Sequence, residues 1–81
     1  MERTQIFNKE VIDRFALQVK KIRKEKGYTQ EALAFHSGIA LSQIARMETG
    51  KINPTLSTID ALATGLKIPL RSIFDFQSQT F

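Results

Sequence analysis

The chain has 81 residues, room for one domain with a thin core. It has no cysteine and a single histidine, which excludes a disulfide framework, a cysteine-ligated metal and a multi-histidine metal cluster. The formal net charge of +4 favours a polyanionic partner, and it is unevenly spread: Lys20, Lys21, Arg23, Lys24 and Lys26 face only Glu25, whereas from Thr55 onward Lys67 and Arg71 meet Asp60 and Asp75.

The basic run has two readings, a solvated helix face or an anion-facing surface, and the downstream motif must decide between them. The start, Met1-Glu2-Arg3-Thr4-Gln5, lacks the apolar run of a secretory signal. No uncharged apolar stretch approaches the ~20 residues that span a bilayer. The expectation is a soluble, cytoplasmic protein with no membrane partner.

Residues 1–8 read as a short lead, with Ile6 and Phe7 its large apolar groups. Asn8 can cap a first helix over Lys9–Lys26, because its side-chain oxygen can accept an early backbone N–H. Ile12, Phe15, Val19 and Ile22 recur at three- and four-residue steps, which places them on one helical face. Gly27 stops that helix. Thr29 caps the next, Gln30 to Ser37, with Leu33 and Ala34 inward and Glu31 in the first turn, where the helix dipole favours a negative charge. Ser37-Gly38 breaks it. A third helix runs from Leu41 to Thr49 with Ile44 and Met47 inward, and Gly50 ends it. Lys51-Ile52-Asn53-Pro54 is a loop.

Thr55 caps a fourth helix with an inner stripe of Leu56, Ile59, Leu62, Ala63 and Leu66, and Gly65 weakens its end. Pro69 opens a last helix from Leu70 to about Phe74. No segment alternates at period two, so no strands are predicted. The division is a lead (1–8), one helical domain (9–76) and a tail (77–81).

The stretch from Thr29 to Lys51 joins two short helices through a tight turn at Gly38. The second helix carries Ser42, Gln43, Ala45, Arg46 and Thr49 outward. A helix that enters the major groove needs an inner stripe to anchor it and a slim outer face able to hydrogen-bond. Any helical hairpin has an inner stripe and a polar outside, so periodicity alone leaves the function open.

Four motifs in order narrow it: Gly27-Tyr28-Thr29-Gln30-Glu31-Ala32-Leu33-Ala34, then Ser37-Gly38-Ile39, then Ile44-Ala45-Arg46-Met47-Glu48-Thr49-Gly50-Lys51, then Asn53-Pro54. Together, over residues 19–74, they resemble the Xre/Cro-type helix-turn-helix family of phage repressors and bacterial regulators. The resemblance implies an all-α, compact five-helix, lambda-repressor-like DNA-binding domain.

The resemblance also implies residue roles. Thr29 and Gln30 match the start of the second helix, where the family grips a phosphate, in keeping with the affinity of a helix N-terminus for anions. Leu41, Ser42 and Arg46 match positions that reach base edges or flanking phosphates, and Gln43 beside them is a candidate for either. Lys51 and Asn53 match loop positions that approach the DNA backbone. Arg46 can bind guanine with two hydrogen bonds or simply touch phosphate. Leu41 can pack on a thymine methyl or cover the turn. Lys51 adds charge-driven affinity. Arg23 and Glu48 match a structural salt bridge between the first helix and the end of the third. Two departures from the family pattern stand out: Ala40 occupies a position where serine or threonine often caps, and Leu41 replaces a more commonly polar reader.

Leu70, Ile73, Phe74 and Phe76 form an apolar cluster, read either as closure of a thin core or as a two-fold homodimer interface, and Ile6, Phe7 and Phe81 are expected either to join such an interface or to lie disordered. His36 reads as a surface residue. No nucleophile or acid–base spacing and no phosphate-binding glycine loop is recognisable, so no enzyme, cofactor, metal or small-molecule ligand is expected.

The leading expectation is a sequence-specific transcriptional regulator of double-stranded DNA acting as a homodimer. The length and short last helix resemble restriction–modification controller proteins, and they also suit a phage-type repressor or an antitoxin. The alternative is a protein-interaction module that keeps the fold and binds DNA weakly. RNA has little support, because no aromatic residue is expected on an outer face for base stacking.

Overall fold

The computed structural model describes residues 6–76. Residues 1–5 of the lead and the tail 77–81, including Phe81, lie outside the described residues. Five helices occur in chain order and no strand occurs among the described residues: α1 (Lys9–Glu25), α2 (Gln30–Ser37), α3 (Leu41–Glu48), α4 (Leu56–Leu66) and α5 (Leu70–Ile73).

Local chemistry sets the ends. Asn8 Oδ1 accepts from the Val11 amide at 3.2 Å, Thr29 Oγ1 from Ala32 at 3.0 Å and Thr55 Oγ1 from Thr58 at 3.2 Å. Each satisfies one of the N–H groups that a helix start leaves without an internal partner. α1 ends one residue earlier than its pattern suggests, with Lys26 as cap residue and Gly27 left-handed at φ 76°. α3 likewise stops at Glu48, and Thr49 turns its hydroxyl back to the Ala45 and Arg46 carbonyls at 3.1 and 3.2 Å. At the end of α4 the left-handed cap residue is Lys67, a non-glycine residue at φ 59°.

The core draws on every helix. Phe15 and Val19 come from α1, Leu33 from α2, Ile44 and Met47 from α3, Leu62 and Leu66 from α4, and Ile73 from α5. α2 packs chiefly on α4, and α1 supports both α3 and α5.

Three sequence expectations change here. Leu56 was placed on the inner stripe of α4 but is 66% exposed, because it sits in the first turn at the edge of that stripe. Ile73 was offered for an interface but is fully buried in the chain's own core. Gly65 was read as a weakness in the helix, yet it is a contact point: a Cβ there would lie 2.8 Å from Ser37 Cβ and 3.0 Å from Ser37 Cα. Glycine therefore lets α4 approach the carboxyl end of α2 and locates the turn that follows. No helix among the described residues is long and apolar enough to cross a membrane.

Candidate nucleic-acid interface

The turn between α2 and α3 spans residues 38–40. Gly38 takes φ 75°, ψ 14°, and its amide closes on Ala34 O at 2.9 Å. Ser37 Oγ accepts from the Ile39 amide at 3.2 Å, and Ile39 packs against the core. These local bonds fix the angle at which the chain leaves α2 for α3.

α3 is divided by burial. Ile44 and Met47 are sealed inside, while Leu41, Ser42, Gln43 and Arg46 are exposed. Ala40 occupies the cap position in an extended conformation (φ −60°, ψ 141°) and supplies no side-chain bond, so the departure noted in the sequence is a real gap at the helix start. Leu41 remains 41% exposed, which leaves its side chain able to meet an apolar group from outside. Arg46 lies in the last turn, where the helix dipole favours a cation.

Beyond α3, Gly50 adopts φ 72° and the Lys51 amide reaches back to Arg46 O at 3.0 Å. This closure turns the chain so that Lys51 projects at the exposed surface after α3. Side-chain space at Gly50 is taken by the Asp13 carboxylate, which a Cβ would strike. Asn53 is exposed, and its Nδ2 donates to Ile6 O at 3.3 Å. Its amide therefore ties the loop to the segment before α1, and a contact with DNA would have to share or replace that bond.

Under this surface lies a buried ionic cluster. Arg23 Nε donates to Glu48 Oε2 at 2.6 Å and Nη2 to Oε1 at 3.0 Å, while Nη1 reaches the Tyr28 carbonyl at 2.7 Å. The two side chains are only 9% and 2% exposed. Such two-point geometry joins α1 to the end of α3 with direction as well as charge. The hydrogen bond from Arg23 to Glu48 holds the guanidinium's proton affinity above its already high ordinary value. Burial works against that rise, and the charges of Glu48 and Glu31 add to it.

Gln30 Nε2 also donates to Glu48 Oε1, at 3.0 Å. The sequence pattern marked Gln30 and Glu48 separately and missed their link, which depends on how α2 crosses the end of α3.

Two aromatic placements were also missed. Tyr28 and His36 stack with ring centroids 5.0 Å apart, and Phe35 meets His36 edge-on at 5.3 Å. Phe35 is 82% exposed, so the expectation that no aromatic residue faces outward is corrected. The signal was available: residues two apart on a helix lie on nearly opposite faces, and Leu33 is fully inside. Of the C-terminal apolar cluster, Leu70 and Phe74 are 36% and 44% exposed and Phe76 is half-buried. Ile6, Phe7 and Val11 are also exposed, and Val11 shares a groove with Phe74 and Phe76.

Two short helices joined by a tight turn, the second anchored by Ile44 and Met47 and polar outside, define a helix-turn-helix unit. The chain belongs to the helix-turn-helix family HTH_3, which matches residues 19–73. It is 39% identical over 56 residues to an immunity repressor protein of Bacillus phage phi105, covering 69% of this chain and 39% of that protein. It is 36% identical over 63 residues to the HTH-type transcriptional repressor RghR of Bacillus subtilis (strain 168), covering 76% of this chain and 47% of that protein. The chain thus spans less than half the length of these two relatives. Among solved structures, the restriction-modification controller protein C.AhdI from Aeromonas hydrophila matches with a TM-score of 0.76 at 38% identity, over 78% of this chain and 96% of that one.

Proposed function

We propose that this chain is a sequence-specific, double-stranded-DNA-binding transcriptional regulator. In this reading α3 enters the major groove, and two copies act together on an inverted repeat. The observation that carries the proposal is the outer face of α3: Leu41, Ser42, Gln43 and Arg46 stand exposed on a helix whose other side is locked into the core. The names of the relatives, a phage immunity repressor and a transcriptional repressor, support the same reading.

Arg46 reads a base edge, and Leu41 and Ser42 contact bases or flanking phosphates beside Gln43. Thr29 and Gln30 hold a phosphate at the α2 N-terminus, while Lys51 and Asn53 approach the backbone from the loop. Two copies meet through Leu70, Phe74 and Phe76, and reading half-sites one turn of DNA apart requires their α3 helices to stand ~34 Å apart. Two variants test the division of labour. Arg46→Ala should relax preference at particular base pairs, whereas Lys51→Ala should weaken all duplexes alike and reduce the salt slope by about one. Equal, sequence-independent losses in both variants would reject base reading by α3.

One observation favours a second reading, a protein-interaction module on the same fold: Phe35 projects from α2 almost fully exposed. That reading predicts a Phe35→Ala variant that loses a protein partner while the chain shows no preference among duplexes.

A further inference from the structure

Gln30 is the first residue of α2 and is half-buried, with its amide nitrogen 3.0 Å from Glu48 Oε1. The same oxygen accepts from Arg23 Nη2 at 3.0 Å, and the other carboxylate oxygen accepts from Arg23 Nε. An ionised carboxylate can only accept hydrogen bonds. The Gln30 amide must therefore turn its NH2 group toward Glu48, so its orientation follows from chemistry and not from an assignment of its O and N atoms. A planar NH2 group has two hydrogens. Glu48 takes one and leaves the other directed away from it. Arg23 neutralises Glu48, so an acidic side chain can sit beneath an anion-binding helix start without repelling the anion.

We propose that Glu48 is a positioning residue for the DNA backbone: clamped by Arg23, it fixes the Gln30 amide so that the second Nε2 hydrogen donates to a phosphate oxygen at the start of α2. This inference rests on the DNA-binding reading above and assigns a task to a residue that never touches DNA. On this proposal an acid at position 48 does what its amide could not. A neutral amide there could present either its oxygen or its nitrogen, and Gln30 would lose its fixed sense.

Two measurements test the proposal. In the free protein, NMR should show the two Gln30 side-chain amide hydrogens well separated and slow to exchange with water. In Arg23→Met/Glu48→Met, and in the more conservative Glu48→Gln, they should move toward the values of a free glutamine. On a selected duplex, Gln30→Ala should weaken binding about tenfold, the worth of one charge-assisted hydrogen bond. The same change should have almost no effect in the Arg23→Met/Glu48→Met or Glu48→Gln background. A merely structural role would move thermal stability but leave the two DNA effects additive. Additive losses, no effect of Gln30→Ala, or an unchanged amide signature overturns the positioning role while selective duplex binding by the parent chain stands. A parent chain that prefers no duplex overturns this inference together with the reading beneath it.

Discussion

Replacing Glu48 by alanine strands the Arg23 guanidinium inside the domain. Arg23 loses both bonds to the carboxylate and keeps only the Tyr28 carbonyl, in a place where its side chain is 9% exposed. Removing one partner of a buried ion pair costs about 3–5 kcal/mol, because the other charge stays desolvated and unpaired. A domain of this size has a total stability on the order of 4–12 kcal/mol. Glu48→Ala should therefore consume a large part of it and lower Tm by about 12 °C or more, at ~4 °C or more per kcal/mol. Replacing both partners with apolar residues of similar volume, Arg23→Met/Glu48→Met, removes the stranded charge and should lie within about 1–2 kcal/mol of the parent chain.

Urea denaturation of the parent, the single variant and the double variant measures both numbers. The pH dependence has a definite sign. The proton affinity of Arg23 is raised in the fold, first by the Glu48 hydrogen bond. Its stabilising contribution is thus complete below the unfolded value and disappears only as pH climbs through the raised one. From about pH 7 to pH 10 the deficit of Glu48→Ala should stay level, since arginine remains charged throughout. A single variant as stable as the double would show that the two charges act independently and would refute the reasoning.

Gly65→Ala sets helix propensity against packing. Propensity favours alanine by ~1 kcal/mol, but the new methyl meets Ser37 Cβ and Cα at 2.8 and 3.0 Å. Net destabilisation of about 1–3 kcal/mol is expected in thermal melts, and a stabilised variant would contradict the close approach. Ala40→Ser supplies the cap that α3 lacks, and chemical denaturation should show a gain of about 0.5–1 kcal/mol. Lys67→Gly relieves a left-handed non-glycine residue at φ 59° and should stabilise by about 1 kcal/mol in the same assay, since glycine takes that conformation without the Cβ penalty.

The parts legible in the sequence were those that depend on near neighbours. Asn8, Thr29 and Thr55 announce helix starts because their side chains reach an amide three residues on. Gly27 and Gly38 announce ends because the chain needs positive φ there. The inner stripe of α3 followed from its spacing, and its outer face followed from the same phase.

What the sequence did not disclose depends on elements far apart. Gly65 matters because α4 crosses Ser37. Ile73 is sealed by neighbours that its own four-residue helix does not reveal. The tie from Asn53 to Ile6 joins residues 47 apart, and Gln30 finds Glu48 across 18. Lys67 carries no local mark of its left-handed backbone, since lysine is an ordinary helix former.

The most direct test of α3 as a reader of DNA is to expose the purified chain to a pool of random duplexes at near-physiological salt and sequence what it retains. Enrichment of two inverted half-sites about one helical turn apart, ~10 base pairs, is the predicted result. Retention without any enriched motif, lost as salt rises, would contradict it and reduce the interaction to attraction between a basic protein and phosphate.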